Sequence, residues 1–195
     1  MQVSINGQNI DISLENEKTL GDFLKAFEEN CAANDATIIG IIADGQNLSA
    51  GIMEDYFSKN LEEIQVLELS TVRSADIQTS LQDLSLKSAQ IAKNLCLIPL
   101  LYQTGKDSEA FAYITEFADF FNIFCRTISL SSLFPATYGT IQIQNKSISE
   151  FLSDFSAVLS DFEKALHDND VVLVGDLAEY EIAPRLESFS SLTAT

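Results

Sequence analysis

Apolar residues recur at steps of three and four through residues 107–130: Phe111, Ile114, Phe117, Ala118, Phe121, Phe124, Cys125 and Ile128. That spacing places them on one side of an α-helix. At about 100° per residue, Tyr113 and Phe120 widen the side to about half the circumference. Thr115, Glu116, Asp119, Asn122 and Arg126 fill the other half. A stripe this wide needs more than one neighbour, so the helix is expected near the centre of a bundle. Ser108 or Asp107 is expected to cap its first free amides. The phenylalanines read as core, since each buried ring removes roughly 150–250 Å² from water.

The same period continues on both sides. Ile77, Leu81, Leu84, Ser88, Ile91, Leu95 and Ile98 predict a helix capped by Ser74 and ended or kinked by Pro99. Gln103-Thr104-Gly105-Lys106 then turns into the Phe-rich helix, which makes an αα-hairpin. Pro135, Gly139 and clustered Ser and Thr predict a loop over residues 129–145. Within it Ile141-Gln142-Ile143-Gln144 alternates, as a short strand or an extended crossover would. Ile148, Phe151, Leu152, Phe155, Val158, Leu159, Phe162 and Leu166 predict a third helix, and 167–170 a turn. A fourth helix is expected over about residues 171–192, carrying Leu173, Leu177, Tyr180, Ile182, Leu186 and Phe189, with a kink at Pro184.

The period changes from helical to alternating in the first third. Val3-Ser4-Ile5 and Ile10-Asp11-Ile12-Ser13-Leu14 alternate around Asn6-Gly7, a strong hairpin signal. Thr19 is expected to cap a helix through Leu20, Phe23, Leu24, Phe27 and Cys31. The β-branched run over residues 37–43 suits a central strand buried on both faces. Asp44-Gly45 turns it into a short strand at 46–48, and a last strand covers 65–71 with Val66 and Leu67 on opposite faces.

The order β-β-α-β-β-β resembles the ubiquitin-like β-grasp fold over about residues 1–72. Met1-Gln2-Val3, the turn Ile42-Ala43-Asp44-Gly45-Gln46-Asn47-Leu48, Met53-Glu54-Asp55-Tyr56 and the last strand look like the matching parts of that family. Modifiers and sulfur carriers of the family end in Gly-Gly. Here Thr71-Val72-Arg73-Ser74-Ala75 runs on toward a helix, so conjugation does not carry over. The resemblance implies a fused module that binds other proteins through its sheet face or edge, or that packs on the helices. The expected fold class is therefore α+β: a β-grasp domain over 1–72, then a mainly antiparallel four-helix bundle over 73–195.

Composition narrows the function classes. The chain of 195 residues carries a formal charge of −18, spread over both parts: 13 acids against 3 bases in 1–72, and 16 against 8 in 73–195. Such a surface repels phosphate backbones and anionic membranes, so neither nucleic acid nor membrane is expected as a partner. A protein partner, including a basic one, is compatible with it. No basic region followed by an apolar run opens the chain, and Pro99 interrupts the apolar run 95–102. Cys31, Cys96 and Cys125 are odd in number and sit in helical patterns. They read as buried hydrophobes in a reducing cytoplasm.

Candidate chemistry is sparse. Asp168, Asp170 and Glu179 fall at calcium-loop positions, but Val172 and Leu173 stand where a ligand and a glycine are needed. Glu163 and His167 are one helical turn apart, yet His167 is the sole histidine, so a paired di-metal site cannot be built. The chain lacks a phosphate-binding glycine loop, a CxxC pair and a nucleophile elbow. No metal or cofactor is expected. The one polar cluster beside apolar positions is Asp176, Glu179, Tyr180 and Glu181, an acid/base site if one carboxylate is buried.

Three readings follow. The first is a non-catalytic protein-interaction module, adaptor-like or chaperone-like. The second is an enzyme or small-molecule binder with an acidic interdomain pocket at residues 176–181. The third is a structural homodimer. Neither partner nor pathway is written in the sequence.

Overall fold

The computed structural model describes residues 1–14 and 16–191. The chain forms two compact units, Met1–Asp76 and Ile77–Thr195. The first is built on a mixed sheet and the second is mostly helical.

In the first unit β1 (Gln2–Ile5) and β2 (Gln8–Ile10) form the hairpin signalled by Asn6-Gly7. Both turn residues have positive φ, 50° and 79°, which matches the twist of the strands and is open to Gly7 without strain. The Asn6 side chain then reaches β5 (Val66–Arg73), accepting from the Thr71 amide at 2.9 Å and donating to its carbonyl at 3.2 Å. β2 stops at Ile10, short of the expected Leu14. Ile12 packs against the core without pairing, and Leu14 is exposed.

The helix α1 (Leu20–Ala33) starts at Thr19, as its sequence predicts. Thr19 Oγ1 accepts from the Asp22 amide and the Asp22 carboxylate accepts from the Thr19 amide at 3.1 Å, a reciprocal capping box. Leu20, Phe23 and Leu24 bury one face of α1 against Val3, Leu67 and Leu69 of the sheet.

β3 (Ala36–Ala43) and β4 (Gln46–Asn47) flank the Asp44-Gly45 turn, and α2 (Ala50–Phe57) follows. The sheet order is β2-β1-β5-β3-β4, with β1 and β5 parallel. The central strand is thus β5, not the β-branched run. β3 is bordered by the two-residue β4 and leaves Ile39 exposed. A register shift between Ile38 and Gly40 also bends it, and the Glu28 carboxylate of α1 accepts from the Ile38 amide there at 2.9 Å. β5 shows the expected alternation, with Leu67 buried and Val66 exposed.

The second unit carries the long helices α3 (Ser74–Leu95), α5 (Asp107–Ser131) and α7 (Ile148–His167), with the short α4 (Ile98–Gln103) between the first two. The seven apolar or small positions expected to face inward from Ile77 to Ile98 are all buried. Pro99 sits in the first turn of α4, where its missing N–H costs nothing. The stripe on α5 is narrower than half the circumference: Ala110, Ile114, Phe117, Phe120, Phe124 and Ile128 are buried, while Phe111 and Ala118 are exposed. Phe111 lies one residue past the buried Ala110, about 100° round the helix and off the packed face. The α5 N-cap is Lys106, without a side-chain hydrogen bond, rather than Ser108 or Asp107.

The expected loop over 129–145 is mostly ordered. α5 runs on to Ser131, α6 (Pro135–Tyr138) follows, and β6 (Gln142–Ile143) pairs with β7 (Lys146–Ser147). The turn Gln144-Asn145 has φ of 54° and 60°, the same hairpin geometry achieved without glycine. Ser147 and Glu150 then build a second capping box for α7. The expected fourth helix is broken into α8 (Val171–Asp176), a π-helical segment Leu177–Ile182, α9 (Ala183–Glu187) and a 3₁₀ segment Ser188–Ser191. Pro184 offers no N–H and its ring would meet the carbonyl four residues back, so the chain widens by one residue per turn before it. Leu192, its expected end, lies outside the described residues.

Aromatic rings fill this core. Phe189 stacks on Phe124 at 4.3 Å between centroids and meets Phe151 edge-on at 5.5 Å. Phe121 meets Phe155 at 5.1 Å, and Phe117 meets Phe162 at 6.4 Å. Phe124→Ala should cost about 3–5 kcal/mol in chemical denaturation, since the stacked Phe189 cannot collapse into the cavity.

The α1 capping box should also register in pH. Hydrogen bonds from the Thr19 hydroxyl, and from the Thr19 and Lys18 amides, hold the Asp22 carboxyl below its ordinary value. Its stabilisation is present above the unfolded carboxylate pKa and is lost as pH falls through the lowered folded value. The difference in Tm between wild type and Asp22→Asn should therefore be visible at pH 7 and shrink toward zero near pH 2.

Candidate functional site

The most unusual surface of the helical unit begins with the three residues after Asp170. The Asp170 carboxylate caps α8 by accepting from the Leu173 amide at 3.1 Å. Val171, Val172 and Leu173 then follow in succession. Three consecutive helical residues spread over about 200°, so a helix of this length cannot turn all of them inward. Val174 and Gly175 take the buried side, and all three preceding residues are exposed, Val172 at 70%. Gly175 allows α8 to lie close on α4: a Cβ there would stand 3.1 Å from Pro99 Cγ.

Leu97 and Leu100, in and just before α4, are also exposed, as is Phe111 in the first turns of α5, at 66%. Between these helices and the end of α7 lies a groove of about 540 Å³, with Tyr102, Phe111, Leu166, Val171 and Val174 among its walls. Asp107, Ser108 and Asn169 supply its polar lining. Burial, followed by the charge of Asp107, pushes the Tyr102 phenol up, so it stays a hydrogen-bond donor. Of the exposed apolar residues, Phe111 and Val171 line this groove, and exposed apolar surface around a groove is a mark of interaction sites.

The cluster expected from the sequence, Asp176, Glu179, Tyr180 and Glu181, sits at the end of α8 and in the π-helical segment. The segment divides it. Glu181 turns to Arg185, whose Nη1 donates to its carboxylate at 2.7 Å and to its backbone carbonyl at 2.6 Å. Tyr180 is exposed, and the charge of Glu179, slight desolvation, a hydrogen bond to Glu179 and the charge of Asp176 push its phenol up. A phenol so placed donates a hydrogen bond and does not serve as a base at neutral pH.

The cysteines divide as well. Cys31 is buried, Cys125 half-buried, and Cys96 exposed, which corrects the expectation that all three are buried. Cys96 follows the last residue of α3, where the helical stripe no longer dictates its direction. Desolvation and the charges of Glu179 and Glu187 push its thiol up and keep it protonated. His167 pairs with Asp168 at 3.1 Å at the exposed end of α7. Among the described residues, no group of three or more His, Cys, Asp or Glu could hold a metal ion. No helix among them is long and apolar enough to cross a membrane.

Sequence reasoning placed Phe111 in the core and read Leu173 as an inward residue. The signal available was the unbroken triplet Val171-Val172-Leu173 directly after a capping Asp, which exceeds what one helix face can bury.

Comparison with known proteins brings both parts of the chain into view. Residues 1–73 match the family described as TP0873 N-terminal domain. An uncharacterized protein of Treponema pallidum (strain Nichols) is 27% identical over 190 residues, covering 97% of this chain and 94% of that protein. No solved structure matches. Residues 79–192, more than half of the chain and the whole of the surface just described, match the family described as Domain of unknown function (DUF8042), and the chain belongs to that family.

Proposed function

We propose that this chain is a non-catalytic protein-interaction module, adaptor-like or chaperone-like, whose partner is another protein with basic character. The observation that carries the reading is the exposed apolar surface of Phe111, Val171, Val172 and Leu173 on a chain of net charge −18. Fully burying an exposed side chain of this kind is worth roughly 1.5–3 kcal/mol, and a covering partner would recover the share that is still in water here. The acidic surface would speed encounter with a basic partner and favour it over acidic ones.

The carboxylates support the same reading. Asp22, Asp76, Glu150 and Asp154 are held low by hydrogen bonds from Thr19, Arg73, Ser147 and Lys146 respectively. Carboxylates stabilised in this way act as caps and ion-pair partners, whereas a general acid at neutral pH needs its value raised.

In this reading the first unit is a ubiquitin-like β-grasp domain, over about residues 1–72. Parallel pairing of β1 with β5, and α1 packed across one sheet face, support that assignment. The helical unit, over 73–195, is a mainly antiparallel four-helix bundle whose fourth member is the broken run from α8 to the 3₁₀ segment. Cys31, Cys96 and Cys125 as free thiols support work in a reducing cytoplasm.

Phe111→Ser and Val172→Ser should each leave stability within about 0.5 kcal/mol of wild type, because both side chains are mostly in water. Each should also release a partner captured from the native cell, identified by mass and then titrated calorimetrically as a purified protein. The expected complex is stoichiometric, weaker at high salt and weakened about tenfold or more by either substitution. If every captured protein binds both variants as tightly as wild type, the reading fails.

A further inference from the structure

The groove at the start of α5 says more about what fills it. Its wall is made of side chains from α4, α5, α7 and α8 and from the turn at Asn169, with no strand edge among them. It therefore offers apolar side chains and few hydrogen-bonding groups: Asp107, Ser108, Asn169 and the Tyr102 phenol. An extended peptide laid there would leave most of its own N–H and C=O groups without partners. A helix brings its backbone already satisfied and presents only side chains.

Charge selects among helices. Asp107 stands in the wall, and Asp168 and Asp170 flank Asn169. Lys106 is already engaged with Glu109 at 3.4 Å, and the His167 ring meets the Asp168 carboxylate at 3.1 Å. Asp107 and Glu109 also offset the positive end of α5. A second copy of this chain would bring the same acidic rim against this one, and an anionic lipid surface would be repelled likewise.

We infer that the groove between the first turns of α5 and α8 seats an amphipathic helix of a partner protein, apolar residues against Phe111 and Val171, Lys or Arg toward Asp107. This rests on the reading of the chain as a protein-interaction module and names the chemistry of its partner.

The test uses the full chain and a labelled model helix of about five turns, leucine on one face and lysine on the other, read by fluorescence anisotropy. Two control peptides replace lysine by glutamate or interrupt the helix with proline. The lysine helix should bind, and more weakly as salt rises. Phe111→Ser should weaken it about tenfold or more, and Asp107→Asn about threefold at low salt. Both control peptides should bind at least about tenfold more weakly. Thermal unfolding of Phe111→Ser serves as the check that the variant is folded.

Lysine-helix binding that Phe111→Ser leaves unchanged would reduce the effect to general attraction by an acidic surface and overturn the inference. Equal binding of the proline-interrupted peptide would overturn it in favour of an extended segment. A dimer in light scattering that Phe111→Ser dissolves would make the occupant a second copy. A cellular partner that needs Phe111 but is not displaced by the lysine helix would sink this inference alone and leave the proposed function standing. Loss of both results would remove both.

Discussion

The helical unit closes on Phe189. Its ring lies 4.3 Å from Phe124 of α5 in a stacked contact, 6.2 Å from Phe120 and 5.5 Å from Phe151 of α7. One side chain near the C-terminal end of the described chain thus joins two long core helices of the unit, α5 and α7, to the segment that follows α9. Rings of this size combine large area burial with a preferred mutual geometry. The segment bearing Phe189 therefore has one favoured position, and everything between α7 and that position must fit the distance available. The break of the run after Asp170 into α, π, α and 3₁₀ pieces is how it fits.

Two ion pairs lie where that fit is least regular. Arg185 bonds Glu181 across the π-helical segment and passes 5.9 Å from the Phe155 ring centroid. Lys146 of the β6–β7 hairpin holds Asp154 of α7 at 2.6 Å. These charges are partly solvated, so each pair is worth little alone. Their value is directional: they hold short irregular pieces in register with the long helices. The first unit solves the corresponding problem with side-chain hydrogen bonds to the backbone. The Asn6 amide clamps Thr71, and the Asp44 carboxylate accepts from the Gln65 and Val66 amides at 2.9 and 2.8 Å.

Long helices and glycine-marked hairpins were legible because each depends on local physics. The three-and-four spacing from Ile77 to Ile98, the Thr19 cap and the Asn6-Gly7 turn need no knowledge of distant residues. What escaped was set at a distance. β5 is the central strand because it pairs with both β1 and β3, and the β-branched run 37–43 carries no trace of that in its composition. The Gln144-Asn145 hairpin uses positive φ without glycine, so its turn chemistry is muted. Asp176, Glu179, Tyr180 and Glu181 were visible as a cluster, but whether they converge depends on the widened turn, which redirects Glu181 toward Arg185. The apolar groove escaped because Phe111 looks, by spacing alone, like the rings that are buried.

The π-helical segment Leu177–Ile182 has a consequence for the length of the chain itself. A turn closed by i→i+5 bonds holds one residue more than an α-turn spanning the same rotation. Removing a single residue between Leu177 and Ile182 would let the backbone return to ordinary helical bonding, an easing of local geometry. The flanks would keep their phase, because the shortened α-turn spans the same rotation, and Leu186 and Phe189 would still face the core. The extra residue therefore acts as local slack, a bulge that the run carries ahead of Pro184 without losing its phase.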